Sequence, residues 1–397
     1  MRPLLLPLLA LLLALPLLGA AAGPPPGRPY VGLDATASAL LLQPAAGQQV
    51  LIGGVAFKAL VARVQALEQQ LAAPPCPVVA DASAMAGVGA ALTKWYGGVR
   101  AGNGKIYAMP HYAPSVLIID PAAGTVDTTT IAGLNTMGSW VGGVLAGNGR
   151  IYGIPHRSAS VLIIDPATNN VDTTSIASLA GDARWCGGVL AGNGRIYGMP
   201  HMANEVLIVD PATNTADTTS ITGLTGESKW WGGVLAGNGK IYGIPHAKSS
   251  VLIIDPATNV ADTTTISGLV GGWTEGVLAG NGKIYGIPSG SSPVLVIDPA
   301  TNTADTSIAT GLTTGRWNGG VLAGDGRIYG MPARNSRPAT VLIIDPAANT
   351  TETLDLTGQA DTYDWFGGVS ALDGKVYGIP RDSASVLVIR RNCAGRL

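Results

Sequence analysis

From Trp95 onward, short apolar runs alternate with polar turns, and the alternation repeats almost word for word. "GGVLAG" leads into Asn-Gly or Asp-Gly, then "KIYGIP", a loop that differs between copies, "SVLIID", "DPATNT" and "ADTTTI". Asn-Gly and Asp-Gly supply the positive φ angles of a tight hairpin turn. "SVLIID" is a continuous apolar run, as expected for a strand covered on both faces. In "DPATNT", Asp and Asn bond their own backbone and Pro presets φ, which makes a turn. "ADTTTI" is polar and Thr-rich, suited to an outermost strand. The pattern predicts four antiparallel strands per copy and no helix.

Trp95, Trp140, Trp185, Trp230, Trp273, Trp317 and Trp365 open the copies, at spacings of 45, 45, 45, 43, 44 and 48 residues. A period of this size implies units that bury their faces on one another, because about 45 residues bury too little surface alone. A β-helix would repeat on fewer residues without internal hairpins. Four-stranded units arranged around an axis make an all-β, seven-bladed β-propeller.

The copies resemble kelch-type and YVTN-type propeller repeats over Trp95 to about Ile389, on the strength of "VLAGNGKIYGIP…VLIIDPATNT". The kelch Gly pair is replaced here by "GIPH", and the kelch aromatic after the "DP" turn by Ala-Asp-Thr. The resemblance implies the fold. Its members include both binding modules and oxidases, so it implies no single activity.

The seventh copy stops after "SVLVI" (385–389), without a fourth strand. "ADASAMAGV" (80–88) aligns with fourth-strand segments such as "ADTTTISGL" (261–269), so an N-terminal strand is expected to complete the last blade. Cys76 and Cys393 flank the place where the other copies have their "DPATNT" turn, and a Cys76–Cys393 disulfide is expected to replace it. Cys186 is left over, read as a small buried residue.

Upstream, residues 1–22 read as a secretory signal peptide, with Arg2, a Leu-rich run and small residues at the exit. An uncleaved anchor is the rival reading. Residues 23–54 read as a linker with short strand pieces. Residues 55–75 read as a helical stalk, in which Phe57, Leu60, Val64, Leu67 and Leu71 alternate spacings of three and four. So short a seam is marginal by itself, which leaves open both a homo-oligomer held by the stalk and a helix lying on the main domain. The propeller domain is 76–397. A net charge of −1, with 12% charged residues, gives no footprint for nucleic acid. The chain is expected to be extracellular, with no membrane contact once the signal is removed.

The turns between strands one and two, and between three and four, share one face and barely change. The loops entering strand one and joining strands two and three lie on the other face and vary, which is where specificity concentrates. The four histidines, His111, His156, His201 and His246, occupy one position on that face, where later copies have Ser289, Ala333 and Arg381. Imidazole is a common metal ligand, but side chains one strand out from the axis are expected to point apart, so no metal and no cofactor is expected. The residue after each Trp (Tyr96, Val141, Cys186, Trp231, Thr274, Asn318, Phe366) is expected to line the channel mouth. Tyr96, Tyr112 and Phe366 should cluster at the closure, with Trp231 opposite. Glu275 replaces the first Gly of the "GG" pair in the fifth copy, a candidate ligand or base near the mouth. These features favour a secreted binding module that presents its variable face to a glycan or protein. The alternative is a propeller lyase or hydrolase using the rim histidines and Glu275.

Overall fold

The computed structural model describes residues 76–134, 138–179, 181–290, 292–307, 315–334, 339–356 and 364–393, together with four short strands among the first 75 residues. The chain divides into Met1–Cys76 and Pro77–Leu397. In the first unit Tyr30–Leu33 pairs with Leu40–Gln43, and Leu51–Ile52 with Val55–Ala56. Val55 and Ala56 therefore belong to a strand and not to the expected helix. The rest of that helix and the signal segment lie outside the described residues.

The second unit is a seven-bladed propeller of four-stranded antiparallel sheets. In the second blade the strands are Trp140–Leu145, Ile151–Pro155, Leu162–Asp165 and Asn170–Asp172, and the others repeat this order. The second strands and most of the third are fully buried. The fourth strands of the first five blades hold only three residues, shorter than "ADTTTI" suggests. The cause is local: Asp217 accepts from the N–H groups of Thr219 and Ser220 and turns the chain out of the sheet. The sixth blade lacks that "DTT" and keeps a six-residue strand, Thr350–Asp355.

Each apolar cluster between the sheets spans two blades. Trp185 of the third blade packs among Val144, Tyr152, Ile154, Val161 and Ile163 of the second. The seven indoles wedge between blades in this way, and each N–H donates to a backbone carbonyl, as Trp95 does to Ser115 at 2.7 Å. On the uniform face, Asn103 Nδ2 donates to Pro166 O of the next blade (3.0 Å) and Tyr107 OH to Asn169 Oδ1 (2.8 Å). The same clasp recurs at Asn148–Tyr152, Asn193–Tyr197 and Asn238–Tyr242. Asn169, Asn214, Asn259 and Asn302 reach it from left-handed backbone, at φ between 51° and 58°.

Ring closure follows the expected route. Val78–Ala86 pairs antiparallel with Ser385–Arg391 as the fourth strand of the seventh blade. Cys76 and Cys393 are disulfide-bonded, and Cys186 is free and buried. With the turn absent there, Asp325 replaces the clasp Asn and accepts from Tyr329 OH at 2.9 Å and from Arg391 at 3.1 Å.

The disulfide closes a loop of more than 300 residues, for which chain entropy gives on the order of 5 kcal/mol as an upper figure. Cys393→Ser is expected to lower the melting temperature by about 5 °C or more. A chain beginning at Ala91 should melt lower still or self-associate through the open edge of Ser385–Arg391. An Ala91 chain that stays monomeric and melts like the intact domain would contradict the closure.

Candidate functional site

The first strands line the axis and contact one another around the ring. In the first blade Ala101 N bonds Lys105 O at 2.9 Å. Hydrogen-bonded pairs alternate in an antiparallel ladder, so Val99 bonds Tyr107, while Gly98, opposite Ala108, turns its N–H and C=O away from the second strand and toward the axis. The register repeats at Gly143, Gly188, Gly233, Gly276, Gly320 and Gly368. The residues just before these form a second ring: Gly97, Gly142, Gly187, Gly232, Glu275, Gly319 and Gly367. All seven have positive φ, from 60° at Glu275 to 75° at Gly319. A Cβ on Gly187 would lie 3.0 Å from Gly232 Cα, and the other neighbours are nearly as close. Close approach and left-handed backbone together require glycine here.

Glu275 is the exception. Its carboxylate reaches across the ring to Gly319, where a Cβ would fall on Oε2, and toward Gly367. It lies inside the channel, not at the mouth as its place in the sequence suggested. The channel there encloses about 130 Å³. Burial lifts the Glu275 carboxyl to about 7, and a hydrogen bond from Gly320 N–H opposes the rise.

The mouth is plugged. Tyr96, Val141, Cys186 and Phe366 form a buried cluster with Trp231 packed against it. Tyr96 stacks on Phe366 at 4.6 Å, and Trp231 lies 5.7 Å from Phe366. Trp231 is therefore a neighbour of the closure aromatics, not opposite them. Tyr112 joins through His111, which is 4.3 Å from Tyr96 and 4.8 Å from Tyr112. Tyr112 itself is exposed, and its hydroxyl accepts from Arg157 at 2.9 Å. Cys186 is buried in the plug, which pushes its thiol well up.

The histidines do not point apart. His111, His156, His201 and His246 form an arc with successive ring centroids 5.5, 5.8 and 6.1 Å apart, and Trp231 lies 5.0 Å from His201 and 5.3 Å from His246. Nδ1 of His156 and of His246 faces Trp185 O (3.2 Å) and Trp273 O (3.3 Å). A carbonyl can only accept, so Nδ1 carries the proton and Nε2 is the unprotonated nitrogen. Burial depresses all four, His111 to about 3 and His201 to about 4, so the arc is neutral at pH 7. No group of three His, Cys, Asp or Glu side chains among the described residues is placed to hold a metal.

Beside the plug opens a pocket of about 350 Å³. Trp231, Phe366 and Tyr96 line it together with Arg316, Arg334 and Arg381 from blades six and seven. Arg381 lies over Tyr96 at 5.0 Å and 3.2 Å from the buried Asp364, which also accepts from Asn318 at 2.8 Å. Burial raises the Asp364 carboxyl against the pull of Arg381. Arg334 is 3.5 Å from Asp382. Among the described residues the enclosed indole N–H of Trp231 has no hydrogen-bond partner. Sequence reasoning placed Arg381 at the histidine position but gave no role to it, to Arg316, Arg334 or Asp364. For Arg316 and Asp364 a signal was present: the residue before each Trp changes from copy to copy, through Lys94, Ser139, Arg184, Lys229, Gly272, Arg316 and Asp364.

Gly187→Ala is expected to lower stability by about 2 kcal/mol or more, since left-handed backbone alone costs an L-residue 1–2. Gly147→Ala, with open space around it, is the control in the same chemical melts and should be near neutral. For the arc, depressed folded values mean stability held above the ordinary histidine range and lost as pH falls toward 3–4. The melting-temperature gap between pH 7 and pH 4.5 should shrink in His111→Gln.

No protein-family model and no curated protein sequence matches the chain. Among solved structures it is similar to a streptogramin B lyase, with a TM-score of 0.63 and 11% identity over 79% of this chain and 98% of that one. A virginiamycin B lyase from Staphylococcus aureus, solved with quinupristin, gives 0.63 and 10% over 79% and 99%. The extracellular domain of a hybrid two-component system from B. thetaiotaomicron gives 0.59 and 10%, over 80% of this chain and 42% of that one. At these identities the likeness shows the shared propeller fold alone, and the kelch part of the resemblance gains no support from it.

Proposed function

We propose that this chain is a secreted binding module whose variable face holds a glycan or protein ligand in the pocket beside the plug. One observation carries the reading: residues that differ between copies come together in a single pocket, while the repeated residues are consumed by packing. Aromatic faces take sugar rings or apolar side chains, and guanidinium forks take carboxylate or sulfate groups. The guanidinium groups of Arg316, Arg334 and Arg381 in the lining favour an acidic group, and the Trp231 N–H adds a donor. The volume falls within the range of ligand sites. An apolar, small-residue-terminated N-terminal segment and a disulfide suit an oxidising compartment.

A second reading, a propeller lyase, is supported by His246, which ends the neutral imidazole arc and lines the pocket, and by the lyases among its structural neighbours. Turnover of a polysaccharide by the purified chain would favour it over simple binding.

The test is a glycan array with acidic and neutral members, followed by titration of the best binder. Trp231→Ala and Arg334→Glu are each expected to weaken binding tenfold or more, about 1.4 kcal/mol. Arg334 is half exposed at the rim, so its variant keeps the test valid should Trp231→Ala disturb the plug. Thr168→Arg, on the uniform face, should leave binding unchanged. Silent Trp231 and Arg334 variants beside a damaging Thr168 variant would place the ligand on the other face.

A further inference from the structure

We propose that the propeller channel is a cation site, in which a hard, oxygen-ligated cation lies on the axis against the Glu275 carboxylate and the inward carbonyls of the neighbouring glycines. This inference is independent of the pocket on the variable face.

The backbone argument comes first. Strand alternation turns the C=O groups of Gly98, Gly143, Gly188, Gly233, Gly276 and their equivalents, together with their N–H groups, toward the axis, where no second strand can satisfy them. Into this ring of neutral dipoles the fifth blade sends one carboxylate. Among the described residues no lysine, arginine or histidine shifts its carboxyl: burial raises it and the Gly320 N–H opposes the rise. An enclosed carboxylate without a counter-charge is costly, and a cation on the axis removes that cost.

The second argument is strain. Glu275 holds φ at 60° where the other six blades use glycine. That conformation is strained for a non-glycine residue, and the side chain packs against the backbone of Gly232 and Gly319. Carboxylate, backbone carbonyl and water are the ligands of hard cations. The channel's 130 Å³ accommodates an ion and about three waters, at about 30 Å³ each. One carboxylate among neutral oxygens suits Ca²⁺ or Na⁺ better than Mg²⁺, which demands a small octahedral shell.

The purified chain is stripped with chelator and titrated with CaCl₂ or NaCl, holding ionic strength constant with choline chloride. Melting temperature and bound metal per chain are read. The native chain should gain several degrees with Ca²⁺ or Na⁺ and, for Ca²⁺, retain one ion per chain after dialysis. Whichever salt gives the gain identifies the valence of the occupant. Glu275→Gln and Glu275→Gly should show no gain. In chelator, Glu275→Gly should melt above the native chain, since it restores the residue used by the other blades. Two outcomes overturn the proposal: a native chain indifferent to both salts, or a Glu275→Gly chain with the same gain and the same bound ion.

Discussion

Every feature of this propeller depends on packing between neighbouring blades. A single four-stranded sheet of this size cannot cover both its faces, and none of the apolar clusters of the ring is confined to one blade. The Trp at the start of each blade fills the gap to the blade before it. On the uniform face, the Asn–Tyr clasp ties the hairpins of the first four blades to the "DP" turn of the next blade. That clasp explains why "AGNGK", "KIY" and "DPATN" hardly change. Their side chains and backbone carbonyls are partners across an interface, so a change in one strands the other.

A ring built on neighbours must also end on one. The seventh blade borrows Val78–Ala86, and the Cys76–Cys393 bond stands where the other blades have a turn. The chemistry adjusts at the seam: Asp325 and Arg391 take over where an Asn and its turn cannot meet. At the axis the same close packing leaves no room for Cβ atoms, so the inner ring is glycine. Glu275 is accepted there only because its carboxylate finds space over Gly319 and Gly367.

These demands confine variation to one face. The position after each Trp is free of clasp and ring, and there the copies carry Tyr96, Cys186, Trp231 and Phe366, which together cap the channel. The position ending strand two is free as well. It carries the histidine arc through four blades and then changes to Ser289, Ala333 and Arg381, so the wall of the mouth passes from neutral imidazole to guanidinium. The pocket opens on that second side, where the small Ser289 and Ala333 leave space and the arginines bring charge.

The sequence by itself determined the period, the strands, the division into a uniform and a variable face, the strand that closes the ring and the cysteines that seal it. All of these are written within one repeat, or in the difference between a complete copy and an incomplete one. Tertiary structure alone decided what meets across the ring. Histidines expected to diverge form an arc with successive rings within 6.1 Å, Trp231 packs by Phe366, and Glu275 lies within the channel. Such distances depend on blade radius and tilt, which closure of seven units sets together and no single repeat encodes. Backbone hydrogen-bonding pattern is local, and can be read from a line of letters. Convergence of side chains from different blades is a property of the closed ring.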